Sequence, residues 1–561
     1  MNGKTRGFPL KAMGMALALC WPIAQAGHAL AFEIPMQDPD LKIRWDNTVK
    51  YNVIYRLNDP SGRVAGGASP ADGSNPLMPA GAPGSELDDG DRNFKRGVVS
   101  NRVDLLSEFD VAYRKMLGVR LSGAAWYDDI YNQGNYNRSS ATINSRSVGA
   151  GRFTDDTRDM MGRKAELLDA FVYLNSDSDA KTPWAVRAGK HTVLYGETLF
   201  FGANGIAGAQ APTDVIKLLS VPGSQFKEII RPVGQVSTQI QLNSSVSFGA
   251  YYQYQWQKSR LPASGSFLSN ADFVGAGAET FFGWRYAGHK DADAGQGGVQ
   301  LRFKPGDDVE YGLYAARYND KAPQLMFDPI AGPTGEYRMV YAEKIKTVGA
   351  SFSTVIADAN VAGEVSYRWN APLVSAPQLD IGFAGNGSSN PLYAVGKTAH
   401  VNLSAIYLMA KSALWDGASL LAELAWNRTL SISKNPLALD GNATRDATAL
   451  RFIFEPQYFQ VLPSLDLSMP VGLGYNPTGR SSAVGAFNGG ARQGGDFSIG
   501  VKGNYQKQWT AALNYTHYFG KEDAVLKPNP DPALAHGLYV STGAQTLHDR
   551  DFISLTVQTT F

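Results

Sequence analysis

The chain has 561 residues, with Lys+Arg 52 against Asp+Glu 51 and a formal net charge of +1. That balance leaves no electrostatic footprint for nucleic acid. Gly at 59, Phe at 26 and Tyr at 26 suit many short strands with aromatic girdles. A mean hydropathy of −0.22 argues against a bundle of membrane helices.

Residues 1–31 read as a targeting signal. Lys4, Arg6 and Lys11 form a basic start, and Ala12 to Cys20 an apolar stretch. Ala29-Leu30-Ala31 is a small-residue cleavage site before Phe32, with Ala24-Gln25-Ala26 as the competing cut. Cys20 is the only cysteine, so cleavage leaves no disulfide, thiolate metal site or cysteine nucleophile. No later uncharged apolar run is long enough to cross a bilayer as a helix. A membrane protein of this composition must then cross by strands, because only helices and closed barrels satisfy their backbone in lipid.

The first segment after the signal alternates strictly. Leu41, Ile43, Trp45, Val49, Tyr51, Val53, Tyr55 and Leu57 share one face, and Lys42, Arg44, Asp46, Thr48, Lys50, Asn52 and Arg56 the other. Such period-two alternation is the mark of a half-buried strand. With charges on one face, it fits lipid outside and water inside. Val99, Val103, Leu105, Phe109, Val111 and Tyr113 repeat the pattern against Arg102, Asp104, Glu108, Asp110 and Arg114.

About 18 such segments follow one another to the end of the chain, with 16 as the lower bound. They include 338–355, read as one strand, and 464–476, read as another. Connections alternate between short and long. The short ones carry turn formers such as Asn243-Ser244-Ser245, Pro305-Gly306-Asp307, Ala357-Asp358 and Pro463. The long ones are rich in Gly, Pro, Ser and Asp. This asymmetry is that of an outer-membrane barrel, with periplasmic turns and extracellular loops. The expectation is one all-β domain over 32–561, a transmembrane antiparallel barrel with both termini in the periplasm. In the last segment Ile553, Leu555, Val557, Thr559 and Phe561 share one face. A terminal aromatic in that register is expected to serve as the signal for the barrel-insertion machinery.

Chemistry is sparse. There is no G-x-S-x-G, H-E-x-x-H or Walker sequence. His191, His289, His400, His517, His536 and His548 are scattered, so neither a metal nor another cofactor is expected. The acidic run Glu86-Leu87-Asp88-Asp89-Gly90-Asp91 lacks the spacing of a calcium loop and reads as a solvated loop.

The long connection after the fifth strand carries recognisable sequence. Arg187-Ala188-Gly189-Lys190-His191, Tyr195-Gly196-Glu197-Thr198-Leu199-Phe200, Ala211-Pro212-Thr213-Asp214-Val215 and Pro222-Gly223-Ser224-Gln225-Phe226-Lys227-Glu228 lie there. With Arg260-Leu261-Pro262-Ala263-Ser264-Gly265-Ser266-Phe267 and Asp549-Arg550-Asp551-Phe552, they resemble the domain of unknown function 1302 family of proteobacterial outer-membrane proteins. Tyr195 departs from the Trp expected before Gly-Glu. The resemblance implies a barrel channel for uptake or export of hydrophobic metabolites and lipids. It also implies possible periplasmic partners and inner-membrane exporters of the resistance-nodulation-division type.

From its residues alone, the segment 196–232 is far longer than an ordinary connection. Its apolar Val215, Ile216, Leu218, Leu219 and Val221 need burial, and the barrel mouth or lumen is the nearest place, with packing on the outer rim as the alternative. The expectation is a constriction or plug lined by Arg187, Lys190, Glu197, Asp214, Lys217, Lys227 and Glu228. A ladder of paired charges is expected across the first two strands, from Lys42, Arg44, Asp46, Arg102, Asp104, Glu108, Asp110 and Arg114, since buried charges must be paired or wet. The functional expectation is a non-catalytic pore for small hydrophobic or amphipathic molecules, in contact with outer-membrane lipid and lipopolysaccharide. A component of an export assembly and an outer-membrane hydrolase stand as alternatives.

Overall fold

The computed structural model describes residues 32–65, 87–138, 146–177, 179–224, 226–281, 284–306, 308–332, 335–529 and 539–561. The expected signal, residues 1–31, lies outside the described residues, as do Glu86 and His536. Among the described residues no helix is long and apolar enough to cross a membrane.

Alternation of apolar and polar side chains lets a strand face two environments, and a closed ring of such strands leaves no unpaired edge. The chain takes that solution with 18 antiparallel barrel strands. They are β1 (Leu41–Arg56), β2 (Gly97–Tyr113), β3 (Leu117–Asp128), β4 (Arg163–Asn175), β5 (Trp184–His191) and β6 (Val233–Asn243). Then come β7 (Val246–Gln253), β8 (Gln296–Phe303), β9 (Val309–Tyr318), β10 (Ile345–Ile356), β11 (Ala359–Pro372) and β12 (Val395–Met409). The ring continues with β13 (Gly417–Lys434), β14 (Asp446–Leu462), β15 (Leu465–Ser468 with Val471–Gly479), β16 (Gly495–Tyr505), β17 (Trp509–Phe519) and β18 (Phe552–Thr560). It closes where β18 pairs with β1, from Thr48 opposite Thr560 to Arg56 opposite Phe552.

The outward register is apolar and exposed, as at Trp45, Leu105, Leu121, Leu313, Val348, Leu403 and Leu513. The inward register is polar and largely buried, as at Lys50, Asn52, Arg102, Glu364, Asn402 and Glu423. A wall with this polarity belongs in lipid. Tight turns close one end. Ala357 and Asp358 both take positive φ (47° and 66°), the geometry whose twist matches a two-residue hairpin.

Two expected strands come out differently. The segment 338–355 is divided: Glu336–Tyr341 leaves the wall, and β10 begins at Ile345. The break falls at Lys344, which takes φ 60° and donates its amide to Asn319 Oδ1. In β15 the ladder is interrupted at Met469-Pro470, because proline has no N–H to donate.

The long connections are more ordered than their composition suggests. Glu336–Tyr341 joins Pro323–Asp328, Trp284–Lys290, Thr280–Phe281 and Gln378–Leu379 in a five-stranded sheet of their own. Phe273, Phe281, Phe327 and Tyr337 form its buried core. The acidic run is likewise no solvated loop. Asp89–Arg92 is a helical turn, with Asp88, Asp89 and Asp91 buried. Arg56 Nη2 lies 2.5 Å from Asp91 Oδ1 and 3.1 Å from Asp549 Oδ2, and Arg550 pairs with Asp88. Buried carboxylates demand such partners.

Candidate functional site: a loop folded through the lumen

Between β5 and β6 the chain enters the barrel. Its first half is fixed to β11–β13. Glu364 on β11 accepts the amide of Glu197 at 2.8 Å and that of Ile206 at 2.5 Å. Glu423 on β13 accepts three successive amides, from Leu199, Phe200 and Phe201. Arg368 donates to the carbonyls of Ala203, Asn204 and Gly205 at 2.8–3.0 Å. Asn204 is met by Asn402, His400 and Asn427. Irregular backbone leaves amides and carbonyls unpaired, and these wall side chains satisfy them where no neighbouring strand does.

The second half is fixed to the opposite arc. Asp214 caps the short helix Val215–Ser220, accepting the Lys217 amide at 3.0 Å. It also accepts from Arg260 Nη1 at 2.6 Å, and Arg260 pairs further with Glu166 on β4. Lys50 on β1 lies 3.3 Å from Glu228, and Lys227 pairs with Glu108 on β2. In an 18-strand ring, β11–β13 stand across the lumen from β1–β4. Residues 196–232 therefore span it from wall to wall.

The expected lining residues separate into groups. Glu197 pairs with Arg302 at 2.8 Å, while Asp214, Lys227 and Glu228 take the partners just named. Lys217 is 2 % exposed, 4.0 Å from Glu166 Oε1 and 5.3 Å from the Trp126 ring centre. Arg187 faces inward, 5.9 Å from the Phe171 ring centre, and is exposed to the lumen. Lys190 is a correction. It stands opposite Ala170 in the outward register and folds onto the Leu167 carbonyl, because strand alternation turns it away from Arg187. Of the loop's apolar residues, Ile216 and Val221 are buried, whereas Leu218 is 55 % exposed.

The charge ladder is also rearranged. Register sets Arg44 opposite Asp110 and Lys50 opposite Asp104, but it also sets Asp46 opposite Glu108, a like-charge pair that β1 and β2 alone leave uncompensated. Arg120 on β3 instead bridges Glu108 at 2.5 Å and Asp110 at 3.2 Å. Arg102 pairs with Asp104 on its own strand at 2.6 Å, and Arg44 with Asp46 at 2.7 Å. Lys42 reaches Glu33 in the short strand Phe32–Ile34. Arg114 lies outside the wall, in the tight turn after β2 with φ 52°, and pairs with Asp40 at 2.8 Å.

Glu166, Arg260, Glu364, Arg368 and Glu423, which hold the loop, are not legible as anchors in the sequence, and neither is Arg120, which bridges wall carboxylates at Glu108, Asp110 and Asp169. Glu364 and Glu423 give one signal, a carboxylate in the polar register of a long strand. Among the described residues, no group of three or more His, Cys, Asp or Glu could hold a metal. The described histidines stay apart: His191 contacts Ser237 Oγ at 2.7 Å, and His517 contacts Asp551 at 2.7 Å.

Residues 8–561 match the family described as "Protein of unknown function (DUF1302)". The chain belongs to the DUF1302 family. No curated protein is similar to this DUF1302 member in sequence. Several solved structures are similar over nearly the whole chain. OccAB4 of Acinetobacter baumannii is 10 % identical, with 94 % of this chain and 100 % of that one covered, at a TM-score of 0.40. The outer membrane channel DcaP of A. baumannii is 9 % identical, with 95 % and 100 % covered, at 0.37. OmpF of Salmonella typhi, in complex with daunomycin, is 8 % identical, with 94 % and 100 % covered, at 0.35.

Proposed function

We propose that the protein is a non-catalytic outer-membrane channel for small amphipathic molecules, with residues 196–232 as its constriction. The observation that carries this reading is the anchoring of one loop to opposite arcs of the lumen wall, by Glu364 and Glu423 on one side and Lys50 and Glu166 on the other. A loop held at both ends narrows an aqueous path without needing a separate plug domain. Its surface supports the choice of solute, since exposed Leu218 is apolar while Arg187 and Lys227, the latter 43 % exposed, are cationic. An amphiphile with an anionic head complements both.

Deleting 204–220 and recording single-channel conductance in planar bilayers tests the proposal. Conductance should rise severalfold, and an unchanged value defeats the reading. Should the deletion fail to insert, the paired substitution Glu364→Ala with Glu423→Ala removes the acceptors of the loop amides and unpins the first half while keeping the chain intact. It should raise open-channel noise, and quiet wild-type currents count against a constriction.

A further inference from the structure

On the outer surface, β7–β11 carry one cross-strand row in which Tyr252, Gly297, Arg317, Lys346 and Trp369 stand opposite one another in turn. The row lies at the long-loop end of the wall, where aromatic side chains mark a membrane–water boundary. Two cations at its centre face each other directly, although like charges in that position destabilise a sheet. Both are exposed, and neither has an ion pair or hydrogen bond among the described residues. Lys344, also exposed, donates to Ser388 Oγ at 3.4 Å and lies in the field of buried Glu343.

Beneath this row the wall is dented. A groove of about 980 Å³ runs over Ala250, Gly297, Ala315 and Val348, with Arg317 and Lys346 on its rim. The small residues leave room for a hydrocarbon chain to lie along the wall, and the rim supplies the charge that such a chain's head would neutralise.

We propose that this groove seats a lipid of the extracellular leaflet with a net-anionic phosphate head, its phosphate bridging Arg317 and Lys346 and its acyl chain lying over Gly297 and Ala315. The inference rests on the outer-membrane reading but not on channel activity. A bridging phosphate turns a repulsive pair into two charge-assisted hydrogen bonds, which accounts for a juxtaposition that is otherwise unfavourable.

The test compares wild type with Lys346→Gln in lipid-free detergent and after adding lipid A, phosphatidylcholine or inorganic phosphate. Without lipid, Lys346→Gln should melt higher than wild type, because the repulsion is gone. With lipid A the order should reverse, the variant binding about tenfold more weakly, as loss of one charge-assisted hydrogen bond implies. Phosphatidylcholine and inorganic phosphate should leave the lipid-free order unchanged. Equal stabilisation of both proteins by lipid A overturns the proposal. So does a response to inorganic phosphate as large as that to lipid A. Conductance is independent of these readouts, so failure of the channel reading leaves this test intact.

Discussion

Arg260 Nη1 lies 2.6 Å from Asp214 Oδ2, and this pair ties the lumen loop to a residue from the next long connection. Because Arg260 also engages Glu166 on the wall, one guanidinium joins two loops and a strand. Loop packing and lumen packing are thereby one problem for this fold.

Removing Arg260 strands buried Asp214 and half-buried Glu166. Arg260→Ala should cost the loop about 3–5 kcal/mol, read from hydrogen exchange at 213–230. Asp214→Asn combined with Arg260→Met should cost less than Arg260→Ala alone, because less unpaired charge stays buried. A double variant worse than the single one contradicts the assignment of Arg260 as an anchor.

Glu423 serves three amides with a single oxygen. Glu423→Ala leaves those N–H groups without an acceptor, at about 1–3 kcal/mol for each one still buried. Exchange at 199–201 should accelerate strongly in the alanine variant and modestly in Glu423→Gln, whose amide oxygen still accepts. Equal acceleration in both would show that the amides are held by something else.

The extracellular carboxylates carry a pH signature. Burial, with the charge of Asp88 second, pushes Asp272 up to about 7, and burial pushes Asp88 and Asp91 up to about 6. The folded loops thus hold protons more tightly than the unfolded chain, whose aspartates titrate near 3.8. Their stabilisation is complete below about pH 4 and is lost as pH rises through about 7. Limited proteolysis of 87–94 and 264–273 should be slower at pH 5 than at pH 8. Asp272→Asn should flatten that difference.

At the seam, Phe561 and Asn47 exchange backbone hydrogen bonds of 2.8 and 2.9 Å. Phe561→Ala keeps those bonds, so the finished barrel should be as stable as wild type. Assembly into proteoliposomes holding the insertion machinery should slow, while spontaneous folding into thin bilayers should not. Equal slowing in both settings would make Phe561 a packing residue and not a signal.

The sequence by itself determined the barrel, its inward and outward faces and the alternation of turns and loops. These follow from local periodicity: the two sides of each strand meet different solvents, so each strand declares its own orientation. It also marked 196–232 as a segment needing burial, since apolar residues such as Ile216 have no place in a solvated loop. Only the tertiary structure decided which charges meet. Alternation told that Glu108 points inward but not that its partners are Arg120 and Lys227, because register and loop path are set by the whole ring closing. Lys190 shows the same limit: proximity in sequence put it beside Arg187, and strand geometry put it on the other face. The order of the long loops was hidden for a related reason. The pairing of Glu336–Tyr341 with Pro323–Asp328 and Trp284–Lys290 is a bargain among distant segments, and no single one of them carries its signal.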